Sequence, residues 1–444
     1  MRFLLINPTS PLWRTDAAQQ HRGPRSFRFS MLASLYVAAA MPADVETTIV
    51  DEDVEPVDFD ADVDLVGISF MTFNAPRAYQ IADEFRRRGK TVIVGGYHPS
   101  FLPEEASTHA DAVCVGEAEA NIPGMIADFR AGHLKPIYRN PAVDLKGLAI
   151  PDRRLIRQGS YVTRNAMQAT RGCPYSCTFC SVAAFSQSSF RTRPVDEVAA
   201  EIETLGRTVL FMDDNIIGNR DYAMELFARL IPLRIQWASQ CSIRLADDPE
   251  LLDLAARSGC IGLFVGLESL SAGNIKAWRK APNRGRDYAR AIARLHAKGI
   301  AIYTGFVFGM DDDDASIFPR TLEFLHDARV DVLQSTILTP FPGTPLFDEM
   351  DRQGRITSRD WSHYDFGHVV FEPKHMSPRQ LKTGMDWLSS HFYSRPALAR
   401  RIALSFSYLS PVVAAKFVAP LNIGYRRRHQ AMGTFERGRT FEPM

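Results

Sequence analysis

The sequence predicts an α/β protein built from a doubly wound parallel-sheet domain, a partial (β/α)6 barrel and a helical C-terminal region. Three observations predict it. Short apolar, β-branched runs recur at strand length, amphipathic stretches of helix length separate them, and the alternation pauses once in a proline-bearing segment. The chain has 444 residues, too many for one ordinary core, and its 45% hydrophobic and 23% charged residues are those of a folded globular protein.

The first domain is expected over residues 1–131, with strands at 3–6, 47–50, 65–70, 91–94 and 112–115. Each run is mainly apolar or β-branched and of the length of a strand buried on both faces, as a parallel sheet requires. Helical patterns at 31–40 and 77–88 lie between them, the second closed by Gly89. Such sheets bind ligands beyond the carboxyl ends of their strands. The loops there read Asn7-Pro8-Thr9-Ser10, Ser69-Phe70-Met71-Thr72, Gly95-Gly96-Tyr97-His98-Pro99-Ser100 and Gly116-Glu117-Ala118-Glu119, and none is a GxGxxG fingerprint. The Gly95-Gly96 pair either admits a bulky ligand close to the backbone or makes a tight turn, and the residues alone leave both open.

Residues 132–165, with Pro136, Pro141 and Pro151 and no sustained periodicity, read as a linker. The barrel is expected over 166–345, with strands at 166–170, 208–212, 235–239, 261–266, 301–308 and 332–338. Helices are expected between them at 195–205, 222–230, 249–258, 287–298 and 316–328. Six βα units are fewer than the eight that close a barrel, and the chemistry again belongs at the carboxyl ends of the strands.

Charge and cysteine usage narrow the function. Lysine plus arginine number 52 and aspartate plus glutamate 51, so no global positive field gathers nucleic acid, and none is expected as a partner. The polar Asn7-Pro8 interrupts the N-terminal apolar run before the core of a signal peptide. Six cysteines make no disulfide framework, and a reducing cytoplasm is the expected compartment.

Three of those cysteines crowd into Arg171-Gly172-Cys173-Pro174-Tyr175-Ser176-Cys177-Thr178-Phe179-Cys180, directly after the first barrel strand. A CxxxCxxC loop brings three thiolates, Cys173, Cys177 and Cys180, to a common centre. Cubane iron–sulfur clusters usually take four cysteines, so three leave one iron open. A structural zinc would ask for a fourth ligand at paired spacing, and Cys241 and Cys260 lie far down the chain in strand-like surroundings.

A CxxxCxxC loop on a partial (β/α)6 barrel resembles the radical S-adenosylmethionine (SAM) superfamily. The resemblance implies a [4Fe–4S] cluster on Cys173, Cys177 and Cys180 whose open iron binds SAM and delivers the electron that cleaves it to methionine and a 5′-deoxyadenosyl radical. It also implies an electron donor such as flavodoxin or ferredoxin. By the same resemblance Phe179 packs against the SAM adenine, as does the stretch Gly305-Phe306-Val307-Phe308-Gly309. Asp213 and Asp214, in Phe211-Met212-Asp213-Asp214-Asn215, stand where the family holds the SAM amino group, in place of the commoner Gly-Gly-Glu. Arg244 and Glu268, the latter in Gly266-Leu267-Glu268-Ser269, match positions that contact SAM.

A Rossmann-like module ahead of this barrel is similar to the cobalamin-binding class of radical SAM enzymes, which includes C-methyltransferases, a porphyrin-ring cyclase and ring-contracting enzymes. Ser69 with Gly95 and Gly96 resembles that class's strand-end serine and tail-holding glycine pair. Gly95-Gly96-x-His98-Pro99, Val115-Gly116-Glu117-x-Glu119 and Thr339-Pro340-Phe341-Pro342-Gly343-Thr344-Pro345 are similar to it as well. The DxHxxG cobalt-ligand motif of other cobalamin proteins is absent. His98 is either a cobalt ligand or a turn residue, and the turn is favoured. The resemblance thus implies cobalamin-dependent methyl transfer to an unactivated carbon of a small-molecule or lipid-like substrate. Radical oxidation, cyclisation or mutation of the same substrate class is the alternative. An RNA methylthiotransferase fits less well, because only Cys114 stands where that family carries a second N-terminal cysteine triad.

Over 346–444, Asp360-Trp361-Ser362-His363-Tyr364-Asp365 and a helix at 378–392 are expected as a lid over the barrel mouth. Residues 403–419 are apolar, broken by Pro411 and Lys416 and flanked by Arg400, Arg401 and Arg426–Arg428. They are too short to span a membrane. They read as a helical hairpin packed on the barrel, or as an interfacial segment making peripheral membrane contact.

Overall fold

A computed structural model of the protein describes residues 1–10, 31–157 and 159–441. Six parallel strands build the first sheet: β1 (Arg2–Asn7), β2 (Glu46–Asp51), β3 (Leu65–Ser69), β4 (Thr91–Gly95), β5 (Ala112–Val115) and β6 (Ile137–Arg139). Their order is β2-β1-β3-β4-β5-β6, so the winding reverses between β1 and β3. That reversal splays the loops after β1 and β3 apart and opens a crevice at the carboxyl end of the sheet. Apolar side chains cover both faces. Leu4, Ile6, Val66, Val92 and Val94 pack on one, and Phe3, Leu5, Ile93 and Ile126 on the other.

The strand β6 lies inside the stretch expected to be linker, and extends the sheet through Val113↔Ile137 to Val115↔Arg139. Its three residues, Ile-Tyr-Arg, are too few to carry a readable alternation. The rest of that stretch is tied down as well. Tyr161 donates to Asp51 at 2.9 Å, and Arg153 reaches the Ala166 carbonyl at 2.7 Å and Glu201 at 2.5 Å.

The second sheet is parallel and strictly sequential, in the order β14-β13-β12-β11-β10-β7. Its members are β7 (Ala166–Met167), β10 (Thr208–Phe211), β11 (Gln236–Gln240), β12 (Cys260–Glu268), β13 (Ala301–Phe308) and β14 (Val332–Ile337). One expected strand, 166–170, divides. Residues Thr170–Gly172 form β8, which pairs antiparallel with β9 (Phe190–Thr192). The division has a local cause: the Asp213 carboxylate accepts from Ala169 N at 3.2 Å and Thr170 N at 2.6 Å, taking the place of a neighbouring strand. Along β13, Ile302, Phe306 and Phe308 join the core shared with the outer helices. A Cβ at the intervening Gly305 would lie 2.9 Å from the Phe264 ring, inside the barrel.

A sheet that does not close leaves an edge to cover. Helix Pro378–Phe392, started by a Ser377/Gln380 capping box, packs along β14 and helix Ile317–Asp327. Just beyond it, the Tyr393 hydroxyl accepts from Leu333 N at 3.1 Å and donates to Leu333 O at 2.6 Å. The helix expected as a lid thus covers the open edge. The rim is supplied by Trp361–His363 and the turn after it, where the Phe366 carbonyl accepts from Ile337 N at 2.8 Å.

One buried carboxylate holds the linker and barrel together. Glu201 is fully buried and pairs with Arg193 at 2.6 Å and Arg153 at 2.5 Å. Removing its charge strands two guanidinium groups, so Glu201→Gln is expected to cost about 3–5 kcal/mol in urea unfolding. A loss below about 1 kcal/mol would mean that both arginines find other partners.

Candidate active site between the two domains

The cysteine loop is held from several sides. Gly172 opens it at φ 83°, and a Cβ there would overlap the Ser189 carbonyl, so only glycine fits. Thr178 N donates to Trp278 O at 3.2 Å, and Leu346 N donates to Thr178 O at 3.1 Å. Cys180 caps the short helix Ser181–Phe185. Burial pushes the Cys177 thiol up to about 11, with Lys280 opposing the rise. Among the described residues no three His, Cys, Asp or Glu side chains converge as the ligands of one ion. A cubane makes a different demand, because each thiolate binds its own iron at a separate corner. The three thiols of this loop, each electrostatically coupled to Lys280, fit that demand.

Lys280 gave no signal in the sequence. Its Nζ lies 2.6 Å from Glu268 Oε1 and 5.8 Å from the centre of the Phe179 ring, which in turn packs on Trp278 at 4.6 Å. Burial would lower this lysine, but Glu268 and Cys177 hold its ammonium above the ordinary range. Glu268 ends β12 in the left-handed region, at φ 67°. That conformation costs on the order of 1 kcal/mol in a non-glycine residue and recurs at functional sites. A Cβ at Gly266 would overlap the Glu268 carboxylate, so the glycine keeps room for the pair. Arg244 is exposed and reaches the loop through Tyr175 Oη at 3.3 Å.

The two aspartates after β10 divide their work. Asp213 is fully buried and accepts from Ala169 N, Thr170 N and Thr170 Oγ1, the last at 2.6 Å. Burial pushes it up to about 7 against those three bonds. Its carboxylate is turned into the protein, which corrects the expectation that it faces SAM. Asp214 accepts from Gly172 N at 3.1 Å and lines the cavity between the domains.

That cavity, of about 580 Å³, is lined from the first sheet by Asn7, Ser69, Gly95 and Gly96, and from the barrel by Gly172, Val182 and Asp214. Its walls are mainly apolar, as a macrocycle requires. Gly96, at φ 106°, lies against the Phe70 backbone, where a Cβ would stand 2.5 Å from the Phe70 carbonyl oxygen. The crevice thus fits a group with the apolar bulk of the corrin ring of cobalamin. Two further residues that the sequence singles out near it make other contacts. His98 is fully buried, with Nδ1 3.3 Å from Thr72 Oγ1 and Nε2 within 3.1 Å of Tyr79 Oη and 3.2 Å of Glu105, and it does not line the cavity. Glu117 reaches the cavity wall, but its carboxylate binds Arg191 at 2.5 Å, Arg171 at 3.4 Å and Val143 N at 3.0 Å.

The comparisons agree with this arrangement. The radical SAM superfamily model matches residues 167–325 and the B12 binding domain model residues 26–125. The chain is 34% identical over 419 residues to the bacteriochlorophyllide d C-12(1)-methyltransferase of Chlorobaculum tepidum, covering 90% of this chain and 89% of that one. The chain therefore belongs to the cobalamin-binding branch of the radical SAM superfamily, and it is an enzyme. The bacteriochlorophyllide d C-8(2)-methyltransferase of the same organism is 30% identical over 74% of this chain and 78% of its own length. The cobalamin- and [4Fe–4S]-bound structure of the radical SAM methyltransferase TsrM from Kitasatospora setae shares the fold, at a TM-score of 0.65, 15% identity and 99% coverage of both chains. The cofactors are those of the family: a [4Fe–4S] cluster, SAM and cobalamin.

Two predictions follow from this geometry. Replacing Lys280 by Met removes a cation beside the three cysteines that would hold the cluster. The reconstituted variant is expected to keep about four irons per chain, with a more negative midpoint potential and SAM binding weakened about tenfold, and Lys280→Arg should restore both. An unchanged potential would make the lysine a packing residue only. For the corrin, the cob(II)alamin EPR spectrum should lack the superhyperfine splitting of an axial nitrogen, in the native protein and in His98→Ala alike. A nitrogen splitting lost in that variant would put His98 back on cobalt.

Proposed function

We propose that the protein transfers a methyl group from SAM to an unactivated carbon of an apolar, ring-bearing small molecule of the tetrapyrrole kind. The observation that carries this reading is the shared cavity. Gly172 and Asp214, from the cysteine loop and the strand end beside it, line the same space as Ser69, Gly95 and Gly96 of the first domain. When bound, the cluster supplies the electron that cleaves SAM, and cobalamin supplies a methyl group that a second SAM restores. The chain's own residues do the rest. Cys173, Cys177 and Cys180 hold the cluster, and Phe179, Asp214, Arg244 and Glu268 bind and orient SAM beside it. Lys280 fixes the Glu268 carboxylate, and Asp213 acts only as a positioning residue, by shaping the backbone before Gly172. Ser69, Gly95 and Gly96 seat the corrin. The apolar walls exclude water from the space between the two cofactors.

Both bacteriochlorophyllide methyltransferases support a tetrapyrrole substrate by their names and identities. The test is SAM with a deuterated methyl group, given with bacteriochlorophyllide d to the reduced, cobalamin-loaded enzyme. Methyl transfer predicts a labelled product, with 5′-deoxyadenosine and S-adenosylhomocysteine formed in equal amounts. Formation of 5′-deoxyadenosine and a modified but unlabelled product, without S-adenosylhomocysteine, would move the protein to the cyclase or oxidoreductase class.

A further inference from the structure

The C-terminal segment carries a charge asymmetry that the methyl-transfer reading does not use. From residue 387 to 435 the sequence contains no Asp or Glu, yet holds seven of the chain's 52 lysines and arginines. The remainder, with 45 basic against 51 acidic residues, is net negative. Asp331, from outside the segment, meets it on its inner side through Arg401 and Tyr408, while Arg395, Arg400, Lys416 and Arg427 are exposed to solvent.

Folding sorts these residues onto two faces. Helices Pro411–Val413 and Ala419–Ala431 run on through the π-helical turn Ala414–Val418. On the inner face Val413 and Val418, with Leu409 just before the helix, pack on Ala301, and Asn422 bonds the Asp331 carbonyl at 2.9 Å and the buried Arg401 at 2.6 Å. On the outer face lie Val412, Lys416, Ile423 and Arg427, spaced as one helical stripe and all exposed. Leu404 and Phe406, at the end of the preceding helix, are 39% and 48% exposed, and Val412 and Ile423 are 43% and 42% exposed. Arg395 and Arg400 stand exposed on that same preceding helix. Large exposed apolar side chains set among exposed cations are the pattern of an interfacial membrane contact.

We propose that this outer face docks the protein on an anionic lipid surface, with Phe406, Val412 and Ile423 entering the headgroup layer and Arg400, Lys416 and Arg427 pairing with lipid phosphates. No helix among the described residues is long and apolar enough to cross a membrane, so the contact is peripheral. It anchors the barrel by the start of its strands, since the inner face meets Ala301 and Ile261, the beginning of β13 and the second residue of β12. The active-site mouth, at the opposite ends of those strands, stays open to water. The proposal is independent of the methyl-transfer reading.

The test is co-sedimentation of the full chain with vesicles of phosphatidylcholine alone or with about a third phosphatidylglycerol. Binding to the anionic vesicles should be at least tenfold stronger and fall with salt. Arg400→Gln with Arg427→Gln should weaken it about 25-fold, on the order of fivefold for each charge removed. Phe406→Ser with Ile423→Ser should abolish it even at low salt. All four positions are exposed, so 5′-deoxyadenosine formation without vesicles should be unchanged in both variants, which shows that they fold. Equal sedimentation of native protein and variants, or binding to an RNA oligomer or an acidic protein but to neither vesicle, would overturn the proposal.

Discussion

The cavity exists only while two domains are held together, and one group of ion pairs joins them beside the cysteine loop. Glu117 and Glu119 come from the loop after β5 and the helix it starts, and Arg171 and Arg191 from β8 and β9 of the barrel. Arg191 grips both oxygens of Glu117, at 2.5 and 2.9 Å, while Arg171 reaches Glu119 at 2.6 Å and lies over the Tyr36 ring at 5.0 Å. All four side chains are at least three-quarters buried. Burial would raise the Glu117 carboxyl, but Arg191 and Arg171 hold it below the usual carboxylate range. Pairs desolvated to this degree give geometry more than net stability, and losing one partner strands the other. Their position matters most: Arg171 is two residues from Cys173, so the clamp that joins the domains also fixes the start of the cluster loop.

That loop is shaped in turn by groups with no contact to a ligand. Asp213 bends the backbone before it, Gly172 admits the turn, and Leu346, past the end of the last strand, bonds its middle. Residues from both ends of the barrel sequence therefore meet at the cysteines. The open sheet is closed functionally by this crossing, although β7 and β14 never pair. Each support acts before ligands arrive, which is how a site limits the entropy lost on assembling several cofactors at once.

What could be read from the sequence follows from how local each signal is. The buried parallel strands declare themselves as continuous apolar runs, and the CxxxCxxC spacing carries its chemistry in eight residues. Ser69, Gly95 and Gly96 stand in strand-end loops, where doubly wound sheets bind, and all three line the cavity. Side-chain direction was not legible. Asp213 and Asp214 are adjacent and chemically identical, yet one faces the protein and the other the cavity, because only Asp213 meets the unpaired amides of Ala169 and Thr170. His98 follows the cavity-lining glycines but is drawn away by Thr72, Tyr79 and Glu105, partners up to 26 residues distant. Lys280 sits in a stretch of no special pattern and acquires its role only when Glu268, twelve residues earlier, turns toward it.

The C-terminal region shows the same limit from the other side. Its apolar composition was legible and its division into faces was not, since a helix with a buried and an exposed apolar stripe has no clean amphipathic period. Folding resolves the ambiguity by giving each stripe a separate task. The inner one fills the base of a barrel that six strands cannot close. A Cβ at Gly262 would overlap the Phe417 ring, and the Tyr425 hydroxyl bonds Gln334 at 3.2 Å and meets that of Tyr303. Because Val413, Val418 and Tyr425 are committed inward, Val412, Lys416, Ile423 and Arg427, on the other side of the helix, face out. The exposed apolar stripe is thus a geometric consequence of plugging the barrel with a helix that lacks carboxylates. What distinguishes it from an incidental consequence is the basic flank, which a plug does not require.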